Sequence, residues 1–214
     1  MIKKIETLKK ITDVGVVAVV RADSEEQAVK IAEACILGGI SSIEITFTVK
    51  NADKVISLLK EKFNSKELIV GAGTVLDSET ARIAILAGAE YIVSPGFDLE
   101  TAKLCNRYQI PYMAGCMTIT EIIKAMEAGV DIIKLFPGSA YGPGIVKDIK
   151  APLPQAPIMP TGGVSLDNVD KWIKNGCVAV GVGGSLIEGA KTGDYASITE
   201  KAKAFVAKVL EARK

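Results

Sequence analysis

The feature that most restricts the fold of this chain is a strict alternation of two hydrophobic periods. Short apolar runs with strand character, most of them rich in β-branched residues, occupy residues 14–20, 42–47, 68–71, 91–94, 112–115, 132–136, 158–161 and 178–182. Helix-period segments separate them at 24–38, 51–62, 78–87, 98–108, 118–128, 144–149 and 166–175, and the remainder to Lys214 reads as a last helix or two. Gly38, Gly88, Gly129 and Gly176 stop four of these segments. Strands joined through helices run parallel, because the crossover returns the chain to the same end of the sheet. Eight such units, repeating roughly every 20–27 residues, match a (β/α)8 TIM barrel. A short amphipathic N-terminal helix precedes it and a C-terminal helical extension follows. A doubly wound open sheet is the alternative, but the first strand–helix turn, Arg21-Ala22-Asp23-Ser24, lacks the G-x-G-x-x-G fingerprint. No linker or composition shift divides the chain, so residues 1–214 are expected to form a single barrel domain.

Composition removes several function classes. Net charge is +1, no basic run occurs, and the sparse aromatics (5%) are not interleaved with Lys or Arg, which argues against a nucleic-acid partner. The chain has no histidine, and its four cysteines (Cys35, Cys105, Cys116, Cys177) are far apart with no C-x-x-C pair. A zinc site is not expected, and Ser-His or Cys-His catalysis is excluded. The N-terminus has no apolar h-region, and no apolar run is long enough to cross a bilayer. A cytoplasmic protein with reduced thiols and no membrane partner is expected.

Chemistry is expected at the C-terminal ends of the strands, where barrel active sites lie. Polar residues and glycines gather there while the strand bodies are aliphatic. In Ile132-Ile133-Lys134-Leu135-Phe136, alternation puts Lys134 on the inner face with Ile132 and Phe136. An ammonium in such a run either pairs with a carboxylate, loses its proton or reaches solvent at the strand end. A neutral lysine is a nucleophile for carbonyl carbon. In Ser42-Ile43-Glu44-Ile45-Thr46 the same rule turns Glu44 inward, from a strand on the opposite side of a small barrel. A buried ion pair is a poor stabiliser, so one at a barrel mouth points to use. The turns Thr161-Gly162-Gly163 and Gly183-Gly184-Ser185 follow strands seven and eight, where barrels commonly hold a phosphate, and glycines let backbone N–H groups approach an anion. Arg21, ending the first strand, could hold a carboxylate or a phosphate, or be a solvated charge. Thr74 and Thr161 could bind a substrate carboxylate or hydroxyl, or cap the helices after them. Pro95 ends the fourth strand within Ser94-Pro95-Gly96.

An ordered set of segments carries a family resemblance: Val17-Ala18-Val19-Val20-Arg21, Gly38-Gly39-Ile40, Ile43-Glu44-Ile45-Thr46, Gly71-Ala72-Gly73-Thr74-Val75, Ser94-Pro95-Gly96, Lys134-Leu135-Phe136-Pro137 and Pro160-Thr161-Gly162-Gly163-Val164. Together they resemble the class I aldolases of 2-keto-3-deoxy-6-phosphogluconate (KDPG) and 4-hydroxy-2-oxoglutarate (KHG). The resemblance implies a lyase of carbohydrate metabolism, in the Entner–Doudoroff route, that reversibly cleaves a phosphorylated 2-keto-3-deoxy sugar acid to pyruvate and D-glyceraldehyde 3-phosphate. It implies Lys134 as the Schiff-base lysine and Glu44 as the general acid/base. It also implies the two glycine turns as phosphate holders, and Arg21, Thr74 and Pro95 are the candidates for the pyruvyl carboxylate end. A homotrimer without metal or organic cofactor is expected. KHG and the galactonate epimer of KDPG are alternative substrates, and a non-catalytic phosphate-binding barrel is the distant alternative. Many members of the family carry arginine at the position of Thr48, where it holds the carboxylate, so Arg21 is the remaining candidate for that cation.

Overall fold

The computed structural model describes residues 2–214. Its strands are β1 (Val16–Val20), β2 (Ser42–Thr46), β3 (Ile69–Gly73), β4 (Ile92–Val93), β5 (Tyr112–Cys116), β6 (Ile132–Leu135), β7 (Ile158–Pro160) and β8 (Val180–Val182). All pairings are parallel, in the order β7-β6-β5-β4-β3-β2-β1-β8. The ring closes between β7 and β8 through a parallel bridge from Thr161 to Gly181 and a hydrogen bond from Val178 N to Ile158 O at 2.9 Å. This is the nearly closed (β/α)8 TIM barrel that the alternation predicts.

The helices are α1 (Lys3–Val14), α2 (Glu25–Leu37), α3 (Ala52–Lys62), α4 (Ser78–Leu86), α5 (Leu99–Tyr108), α6 (Ile119–Glu127), α7 (Ile145–Lys150), α8 (Val169–Lys174), α9 (Gly184–Ile187) and α10 (Tyr195–Ala212). Side-chain caps start several of them. Ser24 accepts from Gln27 N at 3.1 Å, and Asp77 and Asp98 accept from Thr80 N and Thr101 N at 2.7 Å each. Thr118 and Glu121 form a reciprocal capping box on α6. The C-terminal extension is part of the barrel wall, with α10 packed against α2 and α8.

Most strand boundaries differ from the sequence reading by one or two residues, and three boundaries are instructive. The first strand begins at Val16 because Val14 still belongs to α1 and Gly15, at φ 72°, turns the chain out of the helix. β4 is only Ile92–Val93. Helix α8 starts at Val169 because the Asn168 side chain accepts from Ser165 N at 2.9 Å and donates to Gly163 O at 2.8 Å, holding 165–168 as a turn.

Two apolar clusters explain the register. One lies between strands and helices and includes Ile43, Ile45, Val70, Ala72, Ile133 and Leu135. The other fills the barrel: Val17, Ile69, Tyr91, Val93, Met113, Ile132, Met159 and Ala179, with Ile11 of α1 completing it at the N-terminal end and Leu8 packed beneath. Arg213 donates to the carbonyls of Thr12, Asp13 and Val178, fastening the end of the chain to this floor. Each fully buried Ile or Leu contributes ~1.5–3 kcal/mol. A one-residue slip of β2 or β6 would forfeit that for Ile43 and Ile45, or Ile133 and Leu135, and push the intervening charges into the helix layer. The apolar layers thus hold Glu44 and Lys134 inward.

Candidate active site

Glu44 of β2 and Lys134 of β6 meet near the barrel axis, with Lys134 Nζ 3.8 Å from Glu44 Oε1. Their side chains are only 1% and 6% exposed, so the pair is removed from water. At that distance the contact is an ion pair without a hydrogen bond, and neither Glu44 carboxylate oxygen has a hydrogen-bond partner among the described residues. Such a pair is a poor structural device, since its charges are desolvated and only partly compensated. It is well suited to chemistry, because the carboxylate keeps lone pairs for moving protons and the amine is not locked in a tight bond.

Glycines make the approach possible. A Cβ on Gly73 would overlap the Glu44 carboxyl group. The register pairs Lys134 with Gly115, where a Cβ would strike the Pro95 backbone, so Pro95 leans in beside the lysine strand. The Phe136 ring centre lies 5.1 Å from Lys134 Nζ, the cation–π contact expected from their shared face. Thr74, the next residue after β3, has φ 55°, a left-handed conformation that costs a non-glycine residue about 1–3 kcal/mol. It is held there as Val75 N donates to Val93 O at 3.1 Å.

A cavity of about 390 Å³ meets the pair through Phe136, which lines it; its other walls are Val19, Arg21, the Thr161–Ser165 turn, Gly181 and the Gly183–Ser185 turn. Gly162 and Gly163 have φ of 86° and 74°, a backbone that glycine alone adopts without strain. Successive turns of this kind leave N–H groups facing one side as an anion receptor. Ser185 Oγ donates to Val164 O at 2.9 Å, tying the two turns together. A Cβ on Gly181 would overlap the Thr161 hydroxyl, which is buried and has no hydrogen-bond partner among the described residues.

The structure therefore gathers Arg21, Thr161, Gly162, Gly163, Gly183, Gly184 and Ser185 around one cavity. Thr74 and Pro95 are not among its walls; they flank Gly73 and Gly115 on the Lys134–Glu44 side. Arg21 is exposed and also borders two further clefts, of about 740 and 490 Å³. The larger is an open groove between loops that contains Thr48 but none of the glycine-turn residues and not Phe136, whose ring contacts Lys134. Among the described residues Arg21 has no ion-pair or hydrogen-bond partner, which leaves its charge available to a ligand. Thr48 is tied to Thr46 by a hydroxyl contact of 2.8 Å. The sequence reading did not single out Phe136 as a site residue, although its place two residues after Lys134 signals the same inward face.

No group of His, Cys, Asp and Glu among the described residues is arranged to hold a metal ion. The four cysteines are free and buried, and burial pushes each thiol up to about 12. Cys116, at the end of β5, therefore offers no nucleophile. No helix among the described residues is long and apolar enough to cross a membrane.

Known proteins match this arrangement along nearly the whole chain. The family model described as KDPG and KHG aldolase matches residues 7–201. The chain is 33% identical over 190 residues to the 2-dehydro-3-deoxy-phosphogluconate aldolase of Treponema pallidum (strain Nichols), covering 87% of this chain and 89% of the relative. It is 32% identical over 202 residues to the 2-dehydro-3-deoxy-6-phosphogalactonate aldolase of Escherichia coli (strain K12), covering 94% and 97%. A solved KDPG aldolase from Legionella pneumophila, with pyruvate captured as a covalent carbinolamine, superimposes with a TM-score of 0.86 at 28% identity over 92% of this chain and 97% of that one. With a family match that spans the barrel from α1 into α10, the chain belongs to the KDPG and KHG aldolase family.

Proposed function

We propose that this chain is a class I aldolase that reversibly cleaves 2-keto-3-deoxy-6-phosphogluconate to pyruvate and D-glyceraldehyde 3-phosphate. The observation that carries the reading is the buried Lys134–Glu44 pair, 3.8 Å apart, joined through Phe136 to a cavity walled by two glycine turns. In its unprotonated form the Lys134 amine adds to C2 of the substrate. Glu44 carries protons to and from the carbinolamine oxygen, so that water leaves and an iminium forms. The iminium draws electrons from the C3–C4 bond. Loss of the C4 hydroxyl proton breaks that bond, releasing the aldehyde and leaving an enamine. Protonation of the enamine at C3 and hydrolysis of the resulting imine release pyruvate and restore the amine.

The remaining residues divide by charge and position. Thr161, Gly162, Gly163, Gly183, Gly184 and Ser185 hold the phosphate through N–H and hydroxyl groups. Thr74 and Pro95 border the pyruvyl end, and Arg21 supplies the free cation of the mouth. The whole chain acts as one barrel domain, with no cofactor. A cytoplasmic homotrimer is the assembly the family resemblance favours; α4 and α5 leave Ile83, Leu86, Leu99 and Tyr108 exposed, apolar surface of the kind subunits cover.

Incubation with pyruvate and sodium borohydride is expected to place a reduced pyruvyl adduct on Lys134, located by peptide mass spectrometry. A folded protein without that adduct would refute the reading. Cleavage of the galactonate epimer is a second reading, favoured by the length of the match to the E. coli galactonate relative. A comparison of kcat/KM for the two epimers and for KHG decides between them. Higher kcat/KM for the gluconate compound is expected, and the reverse order would reassign the substrate.

A further inference from the structure

Around β2 and β3, three buried polar groups inside the barrel lack a hydrogen-bond partner among the described residues: the Glu44 carboxylate, the Tyr91 hydroxyl and the Ser42 hydroxyl. Buried polar groups of this kind are ordinarily satisfied, often by an ordered water that makes about three hydrogen bonds. Strand β3 shows how near they lie. Gly71 and Gly73 share its inner face; the tip of the Tyr91 ring sits over Gly71 and the Glu44 carboxyl group over Gly73, each where a Cβ would otherwise be. Two residues along a strand span ~6.6 Å, and a one-water bridge reaches ~5.5 Å, so the bridge needs the Tyr91 hydroxyl turned from the ring tip toward the carboxylate. Gly71 is also the cross-strand partner of Glu44, and Ser42 precedes Glu44 by two residues on the same inward face of β2.

Tyr91 is fully buried among Val17, Ile69, Met113, Ile132 and Met159, where phenylalanine would fill the same space without stranding a hydroxyl. Burial, with the Glu44 and Glu90 carboxylates adding, raises the phenol well above its ordinary range, so the hydroxyl remains a donor throughout the working pH range.

We propose that Tyr91 is a positioning residue for Glu44. Its hydroxyl, together with that of Ser42, holds an ordered water against the underside of the carboxylate and keeps the carboxylate turned toward Lys134. The inference rests on the proposed roles of Lys134 and Glu44.

Exchange of the pyruvate methyl protons for solvent deuterium tests it, because exchange requires the Schiff base and proton transfer but no aldehyde. Tyr91→Phe is expected to lower the exchange kcat about tenfold, the effect of a modestly misplaced proton carrier, with KM for pyruvate unchanged and the melting temperature equal or higher. Ser42→Ala is expected to act in the same direction, and the double variant to lose little beyond Tyr91→Phe, since both hydroxyls serve one water. Exchange by Tyr91→Phe within twofold of the unaltered protein would overturn the inference and leave the aldolase reading standing. A rate loss accompanied by a lower melting temperature, or fully additive losses in the double variant, would assign Tyr91 to packing and overturn it as well. Absence of exchange in the unaltered protein would remove the aldolase reading and this inference with it.

Discussion

Lys134→Ala is expected to lose turnover by on the order of 10⁴-fold or more, because no other residue in the barrel can form the covalent intermediate. It is also expected to lose stability. Removing the ammonium leaves the Glu44 carboxylate, 1% exposed, without its counter-charge. Breaking a buried pair from one side typically costs about 3–5 kcal/mol. Inactivity alone would thus be ambiguous, and two companions resolve it. Lys134→Arg keeps the positive charge opposite Glu44 but cannot become a neutral amine, so it should be folded and inactive. Lys134→Met with Glu44→Gln removes both charges and should recover much of the stability while remaining inactive. Activity assays beside chemical denaturation separate the effects. Substantial turnover by a folded Lys134→Arg protein would contradict the Schiff-base assignment.

Glu44→Gln should lower kcat by about 10²–10³-fold with little change in KM, the range for loss of a positioned acid/base group. The amide keeps the volume over Gly73, so the steric fit there is preserved and the loss is one of proton transfer. Borohydride trapping on Lys134 should persist at a reduced rate, since carbinolamine formation is slowed and not prevented. Single-turnover kinetics of cleavage read both effects. An unchanged kcat would take Glu44 out of the reaction.

Much of the barrel was legible because it rests on local periods. Eight apolar runs and the glycines that end the helices specify strands, helices and direction without reference to distant residues. The inward placement of Lys134 and Glu44 was legible for the same reason: side chains alternate strictly along a strand, and Ile43, Ile45, Ile133 and Leu135 mark the outer face. What escaped the reading depends on contacts between segments. That Gly73 makes room for Glu44, and Gly71 for Tyr91, follows from the register of β2 on β3 and from the path of a ring from β4. Neither is visible in the string Gly71-Ala72-Gly73, which reads simply as a strand end. The late start of α8 has a similar origin, since Asn168 bonds backward to Gly163 and Ser165 and overrides the apolar period. Arg21 was recognised as a cation at the mouth, but its position among three clefts comes from the loops around it.

The floor of the barrel has a consequence for how the reaction is supplied. Ile11 and Leu8 of α1 stop the N-terminal end, and Arg213 secures that helix to Val178, just ahead of β8. The barrel is therefore a blind well with one opening. On the proposed reaction, substrate and leaving aldehyde pass the same rim in turn. In that reaction, a phosphorylated ligand standing in the rim leaves the covalent intermediate with only the water already inside the well. Exchange with bulk solvent, on the proposed reaction, follows departure of the aldehyde, which stands nearer the opening. Shortening α1 would bore a hole in the bottom of the well, and premature hydrolysis is the symptom such a leak would produce.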